Sequence, residues 1–181
     1  MGRRIIRGQS VNVRELCIFA MLGAVMLASK VIMEALPNIH LLGVLTVTYT
    51  VAYRRRALVP IYVYVMLNGL FAGFNFWWLP YTYIWTLLWG VAMLLPRNMP
   101  KRVACVVYSV ICSLHGFLFG ILYAPAQALM FGLDFRQTVA WVIAGFPYDI
   151  IHGVFNLGLG FLVIPLSELL KKLSRGKING L

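Results

Sequence analysis

The sequence predicts an all-α membrane protein, a six-transmembrane-helix bundle forming one domain with both termini in the cytoplasm. Of its 181 residues, 61% are hydrophobic, more than is usual in soluble domains, and only five are acidic. The sixteen basic residues fall mainly into four groups, with a pair of apolar runs between successive groups. Because cytoplasmic segments carry the excess of lysine and arginine, all four groups are expected inside, which gives six spans.

The apolar runs define the predicted spans in order. They are expected at residues 14–36, 39–53, 57–74, 81–95, 103–123 (extending towards 130) and 137–166. Residues 1–13 and 171–181 are then a cytoplasmic N-terminal segment and tail. The second span is short for a bilayer of roughly 30 Å, so we expect neighbouring helices to shield it or its backbone to be partly irregular. Pro125, Pro147 and Pro165 are expected to kink the last two spans.

Several function classes lack support in the sequence. The net charge of +11 follows the predicted cytoplasmic segments and does not indicate a nucleic-acid partner. There is no P-loop for ATP, and no GxSxG or HExxH signature. The three histidines are too scattered to predict a metal site, and the three cysteines lie in apolar runs as small core residues. We therefore expect neither an enzyme nor a cofactor.

Polar and aromatic residues gather towards the predicted outer ends of the spans, whereas the inner halves are almost purely apolar. Ionisable groups in hydrocarbon usually face a cavity or one another, so this asymmetry predicts a solute cavity open to the outside and closed below. The candidate substrate-binding residues are Lys30, Glu34, Asn38, His40, Asn68, Trp77, Trp78, Tyr81, Trp85, Gln127, Trp141, Tyr148, Asp149 and His152.

The sixth span has the sharpest local pattern. Gly145, Asp149, His152 and Asn156 fall within about 60° of one another on a helix of 3.6 residues per turn. Trp141 lies on the same side one turn earlier. Such a polar stripe is expected to face the interior of the bundle.

Each candidate group also has a structural explanation. Lys30 and Glu34 are four residues apart and suit an ion pair within one helix, with the lysine reaching the outer interface. Asp149 and His152 suit a hydrogen-bonded pair that locks the sixth span to the fifth through His115. The aromatic residues of the outer loop and fourth span suit an interfacial belt.

A stripe of small residues marks the first span. Ala20, Ala24 and Ala28 recur every fourth residue, so another helix can approach closely along one face. That helix belongs either to an external partner or to the same bundle. The pairs Gly69/Gly73 and Gly116/Gly120 are expected to serve packing within the bundle.

Three short segments accompany the six-span plan and the alanine stripe: LPNIH at 36–40, WWLPY at 77–81 and GFPYDIIH at 145–152. Taken together over nearly the whole chain, these features resemble the substrate-binding S component of an energy-coupling factor (ECF) vitamin transporter.

The resemblance implies a function at the prokaryotic plasma membrane. Such a subunit captures a vitamin or related micronutrient from outside with high affinity, near the outer ends of spans one, four, five and six. Ala20, Ala24 and Ala28 would contact a transmembrane T component that is driven by two cytoplasmic ATPase subunits. The S component would topple in the bilayer to release the solute inside.

Two other classes stay open. A stand-alone secondary transporter of a small ring-bearing solute usually shows inverted repeats and midplane polar residues. No repeat is evident, but His115, Asp149 and His152 keep this alternative in view. An intramembrane enzyme would have to use Asp149 and His152.

Overall fold

The computed structural model describes residues 13–36 and 39–175, and within these ranges the chain is helical with no β-strand. The α-helices of this part of the chain are α1 (Val13–Ile32), α2 (Leu42–Tyr53), α3 (Leu58–Ala72), α4 (Tyr81–Leu94), α5 (Lys101–Phe117), α6 (Phe119–Phe131), α7 (Phe135–Leu159) and α8 (Val163–Arg175). Short 3-10 turns lie at Arg54–Ala57, Phe76–Trp78 and Gly160–Leu162.

The helix interruptions differ from those expected at the prolines. The fifth predicted span divides at Leu118, between α5 and α6, and Pro125 lies inside α6. The sixth divides at the 3-10 turn between α7 and α8, and α7 continues through Pro147. Pro165 lies in the first turn of α8, where its missing N–H removes no helix hydrogen bond.

Three helical segments are long and apolar enough to cross a membrane, at residues 13–32, 101–131 and 135–174. They support the prediction of a helical membrane protein. Helices α2, α3 and α4 have 12, 15 and 14 residues, fewer than the about 20 that a bilayer-spanning helix needs. The count of six spans and the cytoplasmic position of both termini therefore stay predictions.

Helix α2 lies at the centre of the bundle. Every residue from Leu42 to Thr50 is buried, and α2 packs against α4, α5 and α8. The hydroxyl of Thr50 donates to the carbonyl of Thr46 at 2.7 Å, which satisfies a polar group within the helix. The predicted shielding of this short span is confirmed. Because other helices enclose α2, its length is not set by the thickness of the hydrocarbon.

Helices α5 and α7 meet along a seam of small residues. A Cβ atom on Gly116 would lie 2.8 Å from the Cα atom of Gly153, so the two backbones touch. The hydroxyl of Ser113 donates to the carbonyl of Gly153 at 2.9 Å, and Ser109 donates to the carbonyl of Leu157. Small residues allow this approach and expose the carbonyls to the serines. The predicted packing role of Gly116 is confirmed.

The arginine triplet marks one end of the bundle. Arg56 forms an ion pair with Glu15 at 2.5 Å, which ties the start of α1 to the turn after α2. Arg54 has φ +56°. Its guanidinium donates to the carbonyl of Met93 at 2.8 Å, and its backbone carbonyl accepts from Nε1 of Trp89 at 3.1 Å. The last turn of α1, which carries Lys30, is about 22 Å from Glu15 along the helix axis and therefore lies at the opposite end of the bundle.

Helix α1 packs on α3 through Gly23, where a Cβ atom would lie 2.5 Å from Cγ1 of Val63. The face carrying Ala20, Ala24 and Ala28 is exposed. Of the two alternatives for this stripe, packing inside the same bundle is wrong. Its contact with an external partner stays a prediction.

Candidate ligand-binding site

His40 and His115 contact one buried tryptophan and His152 contacts His40, although the three histidines are far apart in the sequence. The ring centroids of His40 and His152 are 4.6 Å apart, and those of Trp85 and His115 are 5.6 Å apart. His40 also meets Trp85 edge-on at 6.3 Å, and only 1% of Trp85 is exposed. Phe119 of α6 lies 5.2 Å from His152 and completes what we call the histidine–aromatic cluster.

Several members of this region were not among the predicted site residues. His115 had a recognisable signal, because it is an ionisable residue within an apolar run. Phe119 of α6 and Tyr64 of α3, whose ring lies 6.3 Å from Trp85, had none. Aromatic side chains are common in apolar spans, so only the tertiary contacts single them out.

A lysine and an asparagine meet at the end of the bundle opposite the arginine triplet. Nζ of Lys30 donates to Oδ1 of Asn68 at 3.0 Å and lies 5.7 Å from the ring centroid of Trp77. Asn68 is fully buried on α3, one turn after Tyr64. The structure thus brings three of the predicted site residues together from α1, α3 and the loop before α4.

An aromatic row joins this lysine to the histidine–aromatic cluster. The rings of Trp77 and Tyr81 are 5.8 Å apart, and the rings of Tyr81 and Trp85 are also 5.8 Å apart, both edge-on. The hydroxyl of Tyr123 donates to the carbonyl of Trp77 at 2.9 Å, and its ring stacks on Trp141 at 5.8 Å. These contacts place the predicted residues Trp77, Tyr81, Trp85 and Trp141 on one connected surface.

The polar stripe of α7 faces inwards as predicted. Asp149, His152 and Asn156 are buried, and Oδ2 of Asp149 accepts from the backbone amide of Gly120 at 3.0 Å. Nδ2 of Asn156 donates to the carbonyl of Cys112 at 3.3 Å. Asp149 and Asn156 therefore connect helices, but no hydrogen bond among the described residues joins Asp149 to His152 or His115, so the expected pairing of Asp149 with His152 is wrong and His152 belongs to the cluster.

Other predicted residues lie apart from these contacts. Glu34 is exposed just beyond α1, Gln127 is half-buried on α6, and Tyr148 is 55% exposed. Nε1 of Trp78 donates to the carbonyl of Val65 at 2.8 Å. Asn38 lies outside the described residues.

The predicted solute cavity would bring the candidate residues Glu34, Trp78 and Asp149 together. None of the ring contacts or hydrogen bonds in the described ranges joins any two of them. Within the same ranges, Lys30 and Glu34 do not form the intrahelical ion pair that their spacing suggested.

The buried polar atoms around Trp85 have few hydrogen-bond partners. A buried polar atom without a hydrogen-bond partner lowers the stability of the fold by about 1–3 kcal/mol. A bound molecule that forms the missing hydrogen bond recovers that free energy. The atoms concerned are Trp85 Nε1, Tyr64 Oη, Nδ1 of His40, both ring nitrogens of His115 and Nε2 of His152, which lies against His40. Asn68 Nδ2, beside Lys30, and Asn156 Oδ1, on α7, are also buried without a partner. This concentration identifies the region as a candidate ligand-binding site.

A metal ion does not explain the cluster. Among the described residues, no group of three or more His, Cys, Asp or Glu side chains is arranged to hold one. His40 lies in the connection between α1 and α2, where burial, with a smaller contribution from the positive charge of Lys30, lowers its pKa from 6.5 to about 4. Its ring is therefore neutral at physiological pH.

A groove of about 320 Å³ between α4 and α5 reaches His115 from the side of the bundle. Its other lining residues are leucine, isoleucine and valine, including the exposed Leu87 and Val91. The groove is therefore apolar except at its histidine.

Comparisons of this chain with protein-family models, with curated proteins and with solved structures give no match.

Proposed function

We propose that this protein is the substrate-binding S component of an ECF-type importer, which captures a vitamin or related micronutrient from outside the cell. The observation that carries the proposal is the group of unpaired buried polar atoms around Trp85 in the interior of a helical bundle. Ligand sites are typically apolar and aromatic with a few convergent polar groups, and this region has that composition.

The exposed alanine stripe supports the same proposal. Ala20, Ala24 and Ala28 form a smooth face on α1 that no helix of the described bundle covers. In an importer of this type, the T component would cover this face and two ATPase subunits would supply the free energy. The absence of a P-loop in the sequence agrees with this division of tasks.

The function is tested by purifying the protein in detergent and analysing the retained small molecules by mass spectrometry. We expect a ring-bearing micronutrient at near-stoichiometric amounts. Uptake into proteoliposomes should require the T component, both ATPases and ATP. Retention of no small molecule, or ATP-independent uptake by the chain alone, would contradict the proposal.

Docking is tested separately with Ala24→Leu. The longer side chain should weaken assembly with the T component and lower uptake, while solute retention stays unchanged because Ala24 is exposed in the isolated chain. Ala144→Leu makes the same change on an exposed position of α7 and serves as the control. Equal uptake by both variants would argue against docking through α1.

A stand-alone secondary transporter is the second candidate, because three histidines meet in the interior and histidine is a common proton carrier. It predicts uptake by the purified chain driven by a proton gradient, without ATP or partners. The same proteoliposomes distinguish the two candidates.

A further inference from the structure

The Lys30–Asn68 pair has unused hydrogen-bonding capacity. An ammonium group carries three N–H donors, and one of them is directed to Oδ1 of Asn68. On the same amide, Nδ2 is buried without a hydrogen-bond partner. Two donor groups, one charged and one neutral, therefore lie side by side at the start of the aromatic row.

No carboxylate of the described residues forms an ion pair with Lys30. Of the described residues, the ion pairs are Arg56–Glu15 and Lys101–Glu168, and neither includes Lys30. Asp134 caps α7, and Asp149 accepts from Gly120. A partly buried cation beside an unpaired amide favours an anionic partner, because charge-assisted hydrogen bonds are about twice as strong as neutral ones.

The surface next to the pair is aromatic. Trp77 lies 5.7 Å from Nζ of Lys30, and its ring leads through Tyr81 to Trp85. Aromatic rings pack favourably on such surfaces in edge-on or offset geometry. Nε1 of Trp85 is a further buried donor without a partner, and it suits a carbonyl oxygen or a ring nitrogen.

We infer that Lys30 and Asn68 bind the carboxylate of the captured solute, so that the substrate class is an aromatic or heteroaromatic carboxylic acid. The two carboxylate oxygens accept from Nζ and Nδ2, and the ring lies along Trp77 and Tyr81. This inference rests on the proposed capture function and adds the charge and shape of the solute.

Matched acids and amides test it. The probes are pyridine-3-carboxylate, quinoline-2-carboxylate and pterin-6-carboxylate, each with its carboxamide, titrated into the purified chain by calorimetry. Each pair keeps the ring and changes the charge. At least one acid should bind about tenfold or more tightly than its amide, the range expected when a charge-assisted hydrogen bond is lost.

Two substitutions locate the effect. Lys30→Gln removes the charge and should weaken binding of that acid about tenfold or more. Asn68→Asp supplies a carboxylate of the same size that pairs with Lys30, so the fold is maintained while the solute is excluded. Arg136→Gln, the same kind of charge change at an exposed position in the first turn of α7, should leave binding unchanged.

The outcomes separate this inference from the capture function. Equal binding of acid and amide in every pair that binds, or unchanged acid binding by Lys30→Gln, overturns the carboxylate assignment and leaves capture intact. Binding of none of the six probes also overturns the inference. Capture itself fails only if no small molecule is retained during purification either.

Discussion

The carboxylate of Asp149 on α7 accepts a hydrogen bond of 3.0 Å from the backbone amide of Gly120 on α6. The amide lies just after the interruption at Leu118, where the helix hydrogen-bond pattern is reset. Since a Cβ atom on Gly120 would collide with this carboxylate, the glycine and the aspartate depend on each other. Asp149 thus fastens α6 to α7.

Asp149→Asn should therefore retain fold and solute, since an amide oxygen can accept the same hydrogen bond. Asp149→Ala leaves the Gly120 amide unpaired and should lower the free energy of unfolding by about 1–3 kcal/mol. Unfolding of both variants in detergent, with mass spectrometry of retained solute, checks this. Loss of retention in a stable Asp149→Asn protein would instead assign the charge to function.

Alanine substitutions at a crowded and an open glycine should have opposite effects on stability. Gly116→Ala places a methyl group against the backbone of Gly153, which cannot rotate away, so we expect a loss of about 1–3 kcal/mol. Gly90→Ala, with nothing within 4 Å of its new Cβ atom, should stabilise α4 by about 0.5–1 kcal/mol. Thermal unfolding of the two variants measures the difference, and equal Tm values would show that the α5–α7 contact is looser than described.

Two tryptophans separate binding from stability. Trp85→Phe removes a buried N–H that has no partner, so no protein hydrogen bond is lost and stability changes only through the void left by the smaller ring, while solute retention falls. Trp89→Phe removes the donor to the carbonyl of Arg54 and should cost about 1–3 kcal/mol without changing retention. The prediction fails if both substitutions act on the same property.

His40 predicts a dependence of stability on acid. Its pKa is lowered from 6.5 to about 4 in the folded protein. Between these two pH values the unfolded chain is protonated at His40, whereas the folded protein is not. The contribution of the neutral His40 ring to the free energy of unfolding is therefore fully present above pH 6.5 and is lost progressively as the pH falls towards 4.

Thermal unfolding of the wild type and His40→Gln between pH 4 and pH 7.5 measures this contribution. His115 and His152 pack in the same cluster, so the difference between the two curves reports His40 together with its charge coupling to these two rings. We expect the Tm difference to change with pH between 6.5 and 4. Parallel curves would mean that His40 is hydrated in the native state.

Local properties of the sequence were sufficient for the helical class and for individual faces. Hydropathy predicted membrane-spanning helices, and helical periodicity predicted that Asp149, His152 and Asn156 face inwards. The shielding of α2 followed from its length, because a short apolar helix must be covered by others. These features depend on neighbours within a few turns, which the sequence shows directly.

The site depended on contacts between distant segments. Sequence spacing offered no reason to place His40 with His115 and His152, yet His40 and His115 contact Trp85 and His152 contacts His40, because α4, α5 and α7 pack around α2. Likewise Lys30 suited an ion pair with Glu34, but its ammonium group is directed to Asn68 on α3. The sequence by itself determined the helices and their polar faces. The tertiary structure alone decided which faces meet, because packing partners depend on how helices of different lengths fill one core.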